Sequence, residues 1–193
     1  QPSAVWDDHY VMVHHFEDSG SVEYDSTVYG NHGAVSGAVA SVDGRIGSGR
    51  RFDGVDDLIR VEDAESLRFD RDFTLSLWVR QDCLKTTTLI SKGEQWVDGD
   101  YWLRLHEDTL KFDVMWTGEI EAEAAVEQDA WTRVTAVFER GERSWGPHRM
   151  TIYVNGQPVW SEEKTGTPGQ SGAPLFLGTY FLYDLMYFCG DMD

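Results

Sequence analysis

The sequence predicts an all-β fold, an antiparallel two-sheet β-sandwich of the jelly-roll type. Apolar and polar residues alternate with period 2 in many stretches, and turn-forming Gly, Asp and Asn residues separate these stretches. Helix-period patterns are nearly absent. Many short strands joined by regular turns are typical of antiparallel sandwiches. With 193 residues, the chain has the length of one domain with a sizeable core.

The predicted strands follow one another closely along the chain. An Asn155-Gly156 pair between two of them fits the two positive-φ positions of a type I′ turn and predicts a β-hairpin. In chain order, the strands are expected at 10–16, 50–53, 58–62, 73–80, 101–106, 110–116, 131–138, 150–154, 157–160, 174–177 and 186–189.

Charge and hydropathy exclude two classes of partner. The chain has 16 Lys and Arg against 34 Asp and Glu, a formal net charge of −18. Such a charge repels phosphate backbones and anionic membranes, so nucleic-acid binding is not expected. No apolar stretch approaches the ~20 residues of a membrane-spanning helix, so direct membrane insertion is not expected either.

Three groups of segments, in this order and spacing, resemble one known family. They are 13–20 with 25–33, then 43–57, then 73–79 with 131–138 and 152–156. Together they resemble the laminin-G-like jelly-roll domains of the concanavalin A-like lectin/glucanase superfamily. The resemblance implies two antiparallel sheets packed face to face, an extracellular or cell-surface location, and binding of a glycan or a surface protein, often with a structural calcium ion.

The resemblance also suggests domain boundaries. It covers residues 10–193, and residues 1–9 resemble a linker from a preceding domain. The segment 190–193 resembles the beginning of the family's last strand, so that strand is expected to be truncated. A truncated strand would leave a sheet edge open. We therefore expect the chain to be part of a larger protein, or an assembly subunit whose sheet a neighbour completes.

Alternation along the central strands predicts a polar, aromatic outer face. The residues expected to point into the core are Phe73, Leu75, Leu77, Val79, Leu103, Leu105, Phe112, Val114, Trp116, Ile120, Ala122, Ala124 and Val126. If the strands share one sheet, the opposite face carries Trp78, Trp102, Arg104, His106 and Asp113. Indole rings stack on sugars and polar neighbours bind their hydroxyl groups, so these residues are the predicted ligand site. The alternative is that loops cover both tryptophans as a secondary core.

The catalytic alternative is a glycoside hydrolase that uses Glu119 and Glu123, with Glu121 between them. Alternate positions on one strand place all three carboxyl groups on one face, as in the jelly-roll glycosidases of the laminarinase type that this stretch resembles. That group has Asp where this chain has Glu121. The other interpretation is an exposed acidic strand, and a non-catalytic binding module is the leading hypothesis.

The resemblance also places candidate calcium ligands and raises a question about the two cysteines. Asp25, Asn31, Asp53 and Asp193 fall in the matching segments, and carboxylate and amide oxygens are calcium ligands. The same side chains cap turns in many proteins, which is the alternative. Cys83 and Cys189 are expected either to form a disulfide, if their strands are neighbours, or to be unrelated thiols.

Overall fold

The computed structural model describes residues 5–41, 43–94, 98–123, 125–180 and 186–193. Within these residues it contains fifteen strands and a single 3-10 turn at Glu65–Leu67. The strands are β1 (Val22–Glu23), β2 (Gly33–Ser36), β3 (Val39–Ser41), β4 (Gly49–Asp53), β5 (Leu58–Val61), β6 (Phe73–Gln81), β7 (Thr86–Glu94), β8 (Asp98–His106), β9 (Thr109–Val114), β10 (Gly118–Ala122), β11 (Thr132–Glu139), β12 (His148–Val154), β13 (Gln157–Lys164), β14 (Leu175–Leu177) and β15 (Cys189–Met192).

The strands form two antiparallel sheets, which confirms the predicted sandwich. The first has eight strands in the order β1-β2-β5-β14-β7-β8-β9-β10. The second has seven, in the order β13-β12-β11-β6-β15-β4-β3. The predicted hairpin joins β12 to β13, and both Asn155 (φ 50°) and Gly156 (φ 80°) have the positive φ of its turn. Strands that are distant in sequence lie side by side, as β14 does between β5 and β7.

Alternate side chains fill the space between the sheets. Eleven of the thirteen predicted core residues are buried as expected, including Leu103 on β8 and Ile120 on β10, and Ala124 lies outside the described residues. The prediction for Trp116 is wrong, because β9 ends at Val114 and the chain turns over 115–117. With a φ of 64°, Trp116 leaves the strand period and is 58% exposed.

The first predicted strand, 10–16, is also wrong. Among the described residues, this segment makes an isolated bridge between His14 and Asp25 rather than a continuous ladder. Phe16 has a φ of 54°, which interrupts the extended backbone, although its side chain is buried in the core. Tertiary packing therefore uses the apolar residues of this segment without making it a strand.

The final strand is short, and it lies inside its sheet. Cys189–Met192 pairs with β4 on one side and with Val79–Gln81 of β6 on the other. The backbone of Asp193 continues this ladder by exchanging two hydrogen bonds with Trp78, of 2.7 and 3.0 Å. Among the described strands, the rest of β6, residues 73–77, pairs with β11 alone. The last strand therefore lies at the centre of the sheet, beside β6.

A disulfide joins Cys83 and Cys189, which settles the two alternatives for the cysteines. It closes a loop with a sequence separation of 106 residues. The strands that carry the two residues are neighbours, because β15 pairs with β6 just before Cys83. The disulfide thus fixes the last strand to the centre of the seven-stranded sheet.

Two buried ion pairs tie loops to the sheets. Lys92 on β7 is completely buried, and its ammonium group contacts Asp63 at 2.8 Å and Asp100 at 2.9 Å. It also donates to the carbonyl oxygens of Ser171 and Ala173. Burial raises the pKa of Asp100, and its hydrogen bonds with Lys92 oppose that shift. These partners hold the segment around 171–173 against the eight-stranded sheet.

Candidate functional site

The outer face of the eight-stranded sheet brings together most of the predicted ligand site. Strand register places Asp113 directly between Trp102 and Glu119, so these three side chains form one row across β8, β9 and β10. Two strand spacings separate the ends of this row, about 10 Å. The next row contains Arg104, Lys111 and Glu121. The two rows make a continuous patch of one indole ring and five charged groups, which we call the sheet-face site.

Ion pairs hold the charged side chains of the sheet-face site in place. Glu119 contacts the guanidinium group of Arg104 and lies 3.2 Å from the ammonium group of Lys111. Lys111 also lies 2.6 Å from Glu121. The hydrogen bond with Glu121 raises the pKa of Lys111, and the same bond lowers the pKa of Glu121. Both groups therefore remain ionised around neutral pH.

Asp113 differs from the other acids of the site. Burial, followed by repulsion from Glu119, raises the pKa of Asp113 to about 6, and Arg104 opposes that shift. No cation lies within ion-pair distance of Asp113 among the described residues. A shift of this size caused by burial and a like charge is typical of functional sites, although structural clusters produce it too. Asp113 can therefore change its charge close to neutral pH.

Two N–H groups of the site are buried without a hydrogen-bond partner. They are the indole Nε1 of Trp102 and the Nε of Arg104, and the described residues supply no acceptor for either. The indole ring packs edge-to-face against Tyr180, with 5.3 Å between ring centroids. Buried donors are usually paired in folded proteins, so an ordered water molecule or a ligand would supply the acceptors for these two groups.

His106 lies at the end of the same face. Its Nδ1 is 2.7 Å from the hydroxyl of Thr86 on the neighbouring strand, and its side chain is exposed. It therefore borders the sheet-face site, as the alternation along β8 predicts.

Trp78 does not belong to this site. It lies on β6 of the seven-stranded sheet, so it faces the opposite outer surface of the sandwich from Trp102. The guanidinium group of Arg45 covers its ring, 5.1 Å from the centroid. The prediction that Trp78 and Trp102 share a face is wrong, because alternation shows which side of a strand a residue occupies but not which sheet the strand joins.

The three glutamates of the catalytic alternative do not all lie on one strand. Glu119 and Glu121 lie on the outer face as predicted, and Glu123 lies in the turn after β10. Lys111 lowers the pKa of Glu121, the middle residue of the three. Glu119 pairs with Arg104 and Lys111, and Glu121 pairs with Lys111, so cations hold both carboxylates on the outer face.

The four predicted calcium ligands do not form one site. The Asp25 carboxylate accepts four hydrogen bonds, from the backbone N–H groups of Val13, Thr27 and Asn31 and from the Thr27 hydroxyl. Burial raises the pKa of Asp25, but these hydrogen bonds outweigh it, so the pKa is lowered. The amide of Asn31 donates to the Val11 carbonyl at 2.6 Å. Asp25 thus acts as a turn cap, which was the alternative interpretation, whereas the side chain of Asn31 links two distant segments through Val11 and Ser66.

The other two predicted ligands lie at opposite ends of the last strand. Asp53 pairs with Cys189 at its beginning, whereas Asp193 follows Met192 at its end and accepts a hydrogen bond from the Ile46 N–H. Asp53 instead groups with Asp56 and Asp57. Because the four residues are not brought together, they do not fit one calcium ion.

An open cleft at one side of the sandwich was missed by the sequence analysis. It lies between β10 and β13, the last strands of the two sheets, and has a volume of about 640 Å³. Residues 119–123 line one wall, and Val159, Trp160, Glu162 and Lys164 line the other. Trp160 is 49% exposed. The Asn155-Gly156 turn does predict the strand that carries Trp160. The sequence pattern does not show that this strand projects into solvent.

The family to which the chain belongs follows from its sequence profile. The profile of Laminin_G_3, within the concanavalin A-like lectin/glucanases superfamily, matches residues 53–193. The chain belongs to this superfamily. No curated protein matches the sequence. In the part of the chain that the structure describes, no helix has the length and apolar character needed to cross a membrane.

Solved structures of this superfamily fold share the architecture at low sequence identity. Domain 4 of AbnA, a GH43 extracellular arabinanase from Geobacillus stearothermophilus solved with arabinotriose, has a TM-score of 0.63 and 20% identity, over 88% of this chain and 83% of that one. The binding domain of Paraclostridial Mosquitocidal Protein 1 has a TM-score of 0.67 and 16% identity, over 94% and 47%. The receptor-binding domain of botulinum neurotoxin type G has a TM-score of 0.61 and 16% identity, over 88% and 44%. This chain thus spans less than half of either toxin domain.

Proposed function

We propose that this concanavalin A-like domain is a non-catalytic recognition module that binds a glycan at the sheet-face site. We further propose that it acts outside the cell or at the cell surface, within a larger multidomain protein. The structural relatives named above support this, because one was solved with arabinotriose and the others are binding domains of toxins.

One observation carries the proposal: the orphaned N–H groups of Trp102 and Arg104 lie beside Asp113 on one face. A buried donor without a partner costs about 1–3 kcal/mol. Sugar hydroxyl oxygens can accept from both donors, and a sugar hydroxyl can donate to Asp113. The fixed ion pairs around Glu119 keep the neighbouring side chains oriented before the ligand arrives, which lowers the entropic cost of binding.

A pair of tryptophan variants tests the proposal. A glycan array, run with and without EDTA, first identifies a bound glycan. Trp102→Phe keeps an aromatic ring and removes the N–H, so we expect affinity to fall about five- to tenfold, the value of one hydrogen bond. Trp78→Phe is the matched control, since Trp78 lies on the opposite surface. Equal affinities of all three proteins for every array hit would contradict the proposal.

Chelation separates this proposal from a calcium-dependent one. The proposed contacts come from side chains of the sheet, and the four predicted calcium ligands do not form one site. We therefore expect EDTA to leave glycan binding unchanged. Loss of binding on chelation, restored by added calcium, would show that a metal site contributes to recognition.

A further inference from the structure

The cleft between β10 and β13 exposes side chains from the inner side of a sheet. On β13, Trp160 and Glu162 pair with Ile152 and Met150 of β12. Directly paired residues point to the same side of a sheet, and Ile152 and Met150 are completely buried. Trp160 and Glu162 are nevertheless exposed, because β13 extends beyond the cover that the other sheet provides. The cleft floor is therefore built of side chains that point inward but are not packed.

Trp160 is held in an orientation that leaves its ring accessible. The pKa of Glu162 is lowered chiefly by its hydrogen bond with Lys164, and the neighbouring indole N–H of Trp160 acts in the same direction. Lys164 in turn lies 2.9 Å from Glu162. An anchored indole with an open ring face is an amphipathic surface on which a sugar ring can stack.

The charge around Trp160 is negative on balance. Glu119, Glu121, Glu123 and Glu162 line the cleft together with the cation Lys164. Arg104 and Lys111 pair with Glu119 and Glu121 from the sheet-face site, so four carboxylates face three cations, and Glu123 has no ion pair among the described residues. The whole chain has a net charge of −18. This potential repels sulfated or uronic acid glycans and attracts cations. A cation over an indole face gains a further ~0.5–2 kcal/mol.

We propose that this cleft is a second ligand site and that it binds an amino sugar, stacked on Trp160 with its protonated amino group among the glutamates. The amino group of such a sugar is attached directly to the stacking ring, so one rigid unit meets both features. Trp160 and Glu162 are two residues apart on one strand, about 7 Å. A lysine side chain would supply the charge too, but ordering it costs up to ~2 kcal/mol of side-chain entropy.

Calorimetric titration with a glucosamine tetrasaccharide and its fully N-acetylated form tests the proposal. At mildly acidic pH, we expect the free amine form to bind at least about fivefold more tightly, since acetylation removes the charge. Trp160→Ala should weaken that binding about tenfold or more. Trp145→Ala is the matched control, because Trp145 is likewise about half exposed and does not line the cleft.

Glu162→Gln provides a second test that preserves the size of the side chain. It should weaken binding of the amine form and leave binding of the acetylated form unchanged. Equal affinities for the two oligosaccharides, or equal losses in the Trp160 and Trp145 variants, would overturn the proposal. Oligolysine that binds as tightly as the amino sugar in a Trp160-dependent manner would overturn the sugar assignment. Loss in Trp102→Phe with no loss in Trp160→Ala would place amino-sugar binding at the sheet-face site and overturn the cleft assignment.

Discussion

Replacing Asp113 with asparagine should stabilise the protein at neutral and alkaline pH. The folded state raises the pKa of Asp113 from 3.8 to about 6, so it binds the proton more tightly than the unfolded chain does. The free energy of unfolding therefore falls as pH rises through this window. At roughly 1.4 kcal/mol per pKa unit, the full penalty above the window is at most about 3 kcal/mol. The amide side chain of asparagine cannot ionise, so the variant escapes this penalty.

Urea denaturation followed by tryptophan fluorescence measures the effect between about pH 4 and pH 8. The stability gain of Asp113→Asn should be largest at the alkaline end and shrink below about 1 kcal/mol at the acidic end. Asp70→Asn is the control, because Asp70 is exposed, and its effect should not follow this profile. A stability gain that does not change with pH, or a stability loss at the alkaline end, would refute the argument that burial disfavours the ionised form of Asp113.

Three further changes test the structural framework. Replacing Cys83 and Cys189 with serine opens a loop of 106 residues and should cost about 4–5 kcal/mol of stability in the loop-entropy model; an unchanged urea midpoint would contradict this. Lys92→Met leaves the buried carboxylate of Asp100 without its cation and should cost about 3–5 kcal/mol, part of which Asp100→Asn should restore in the double variant. Asp25→Asn should lower the thermal midpoint equally with calcium and with EDTA, whereas a calcium ligand would show the loss with calcium alone.

The fold was predictable because a half-buried strand is marked by alternating apolar and polar residues, which is a local property of the sequence. Each residue of 101–106 shows its side of the strand by its position, and Leu103 and Leu105 are buried as their alternation predicts. Strand neighbours are not encoded in this way. β6 pairs with β11 and β15, whereas β8 pairs with β7 and β9. For this reason the sequence predicted the outward orientation of Trp78 and Trp102 but placed them wrongly on one face.

The errors at the level of single sites have a similar origin. Asp25 and Asn31 lie in the segments that suggested a calcium site, but in the structure Asp25 caps a turn and the side chain of Asn31 bonds to the distant Val11 and Ser66. The sequence pattern places Trp116 in the apolar alternation of β9, but the strand ends two residues earlier. The importance of Trp160 depends on how far one sheet extends past the other, a property of two distant strands rather than of any local pattern.

The two strands that border the cleft, β10 and β13, belong to different sheets. The width of the cleft is therefore set by the distance between the sheets, which depends on core residues nearby such as Met150 and Ile152. Interiors are close-packed, so a bulkier side chain there displaces its surroundings. Evolution could thus widen or narrow the opening, and retune which rings fit it, through residues that no ligand ever touches.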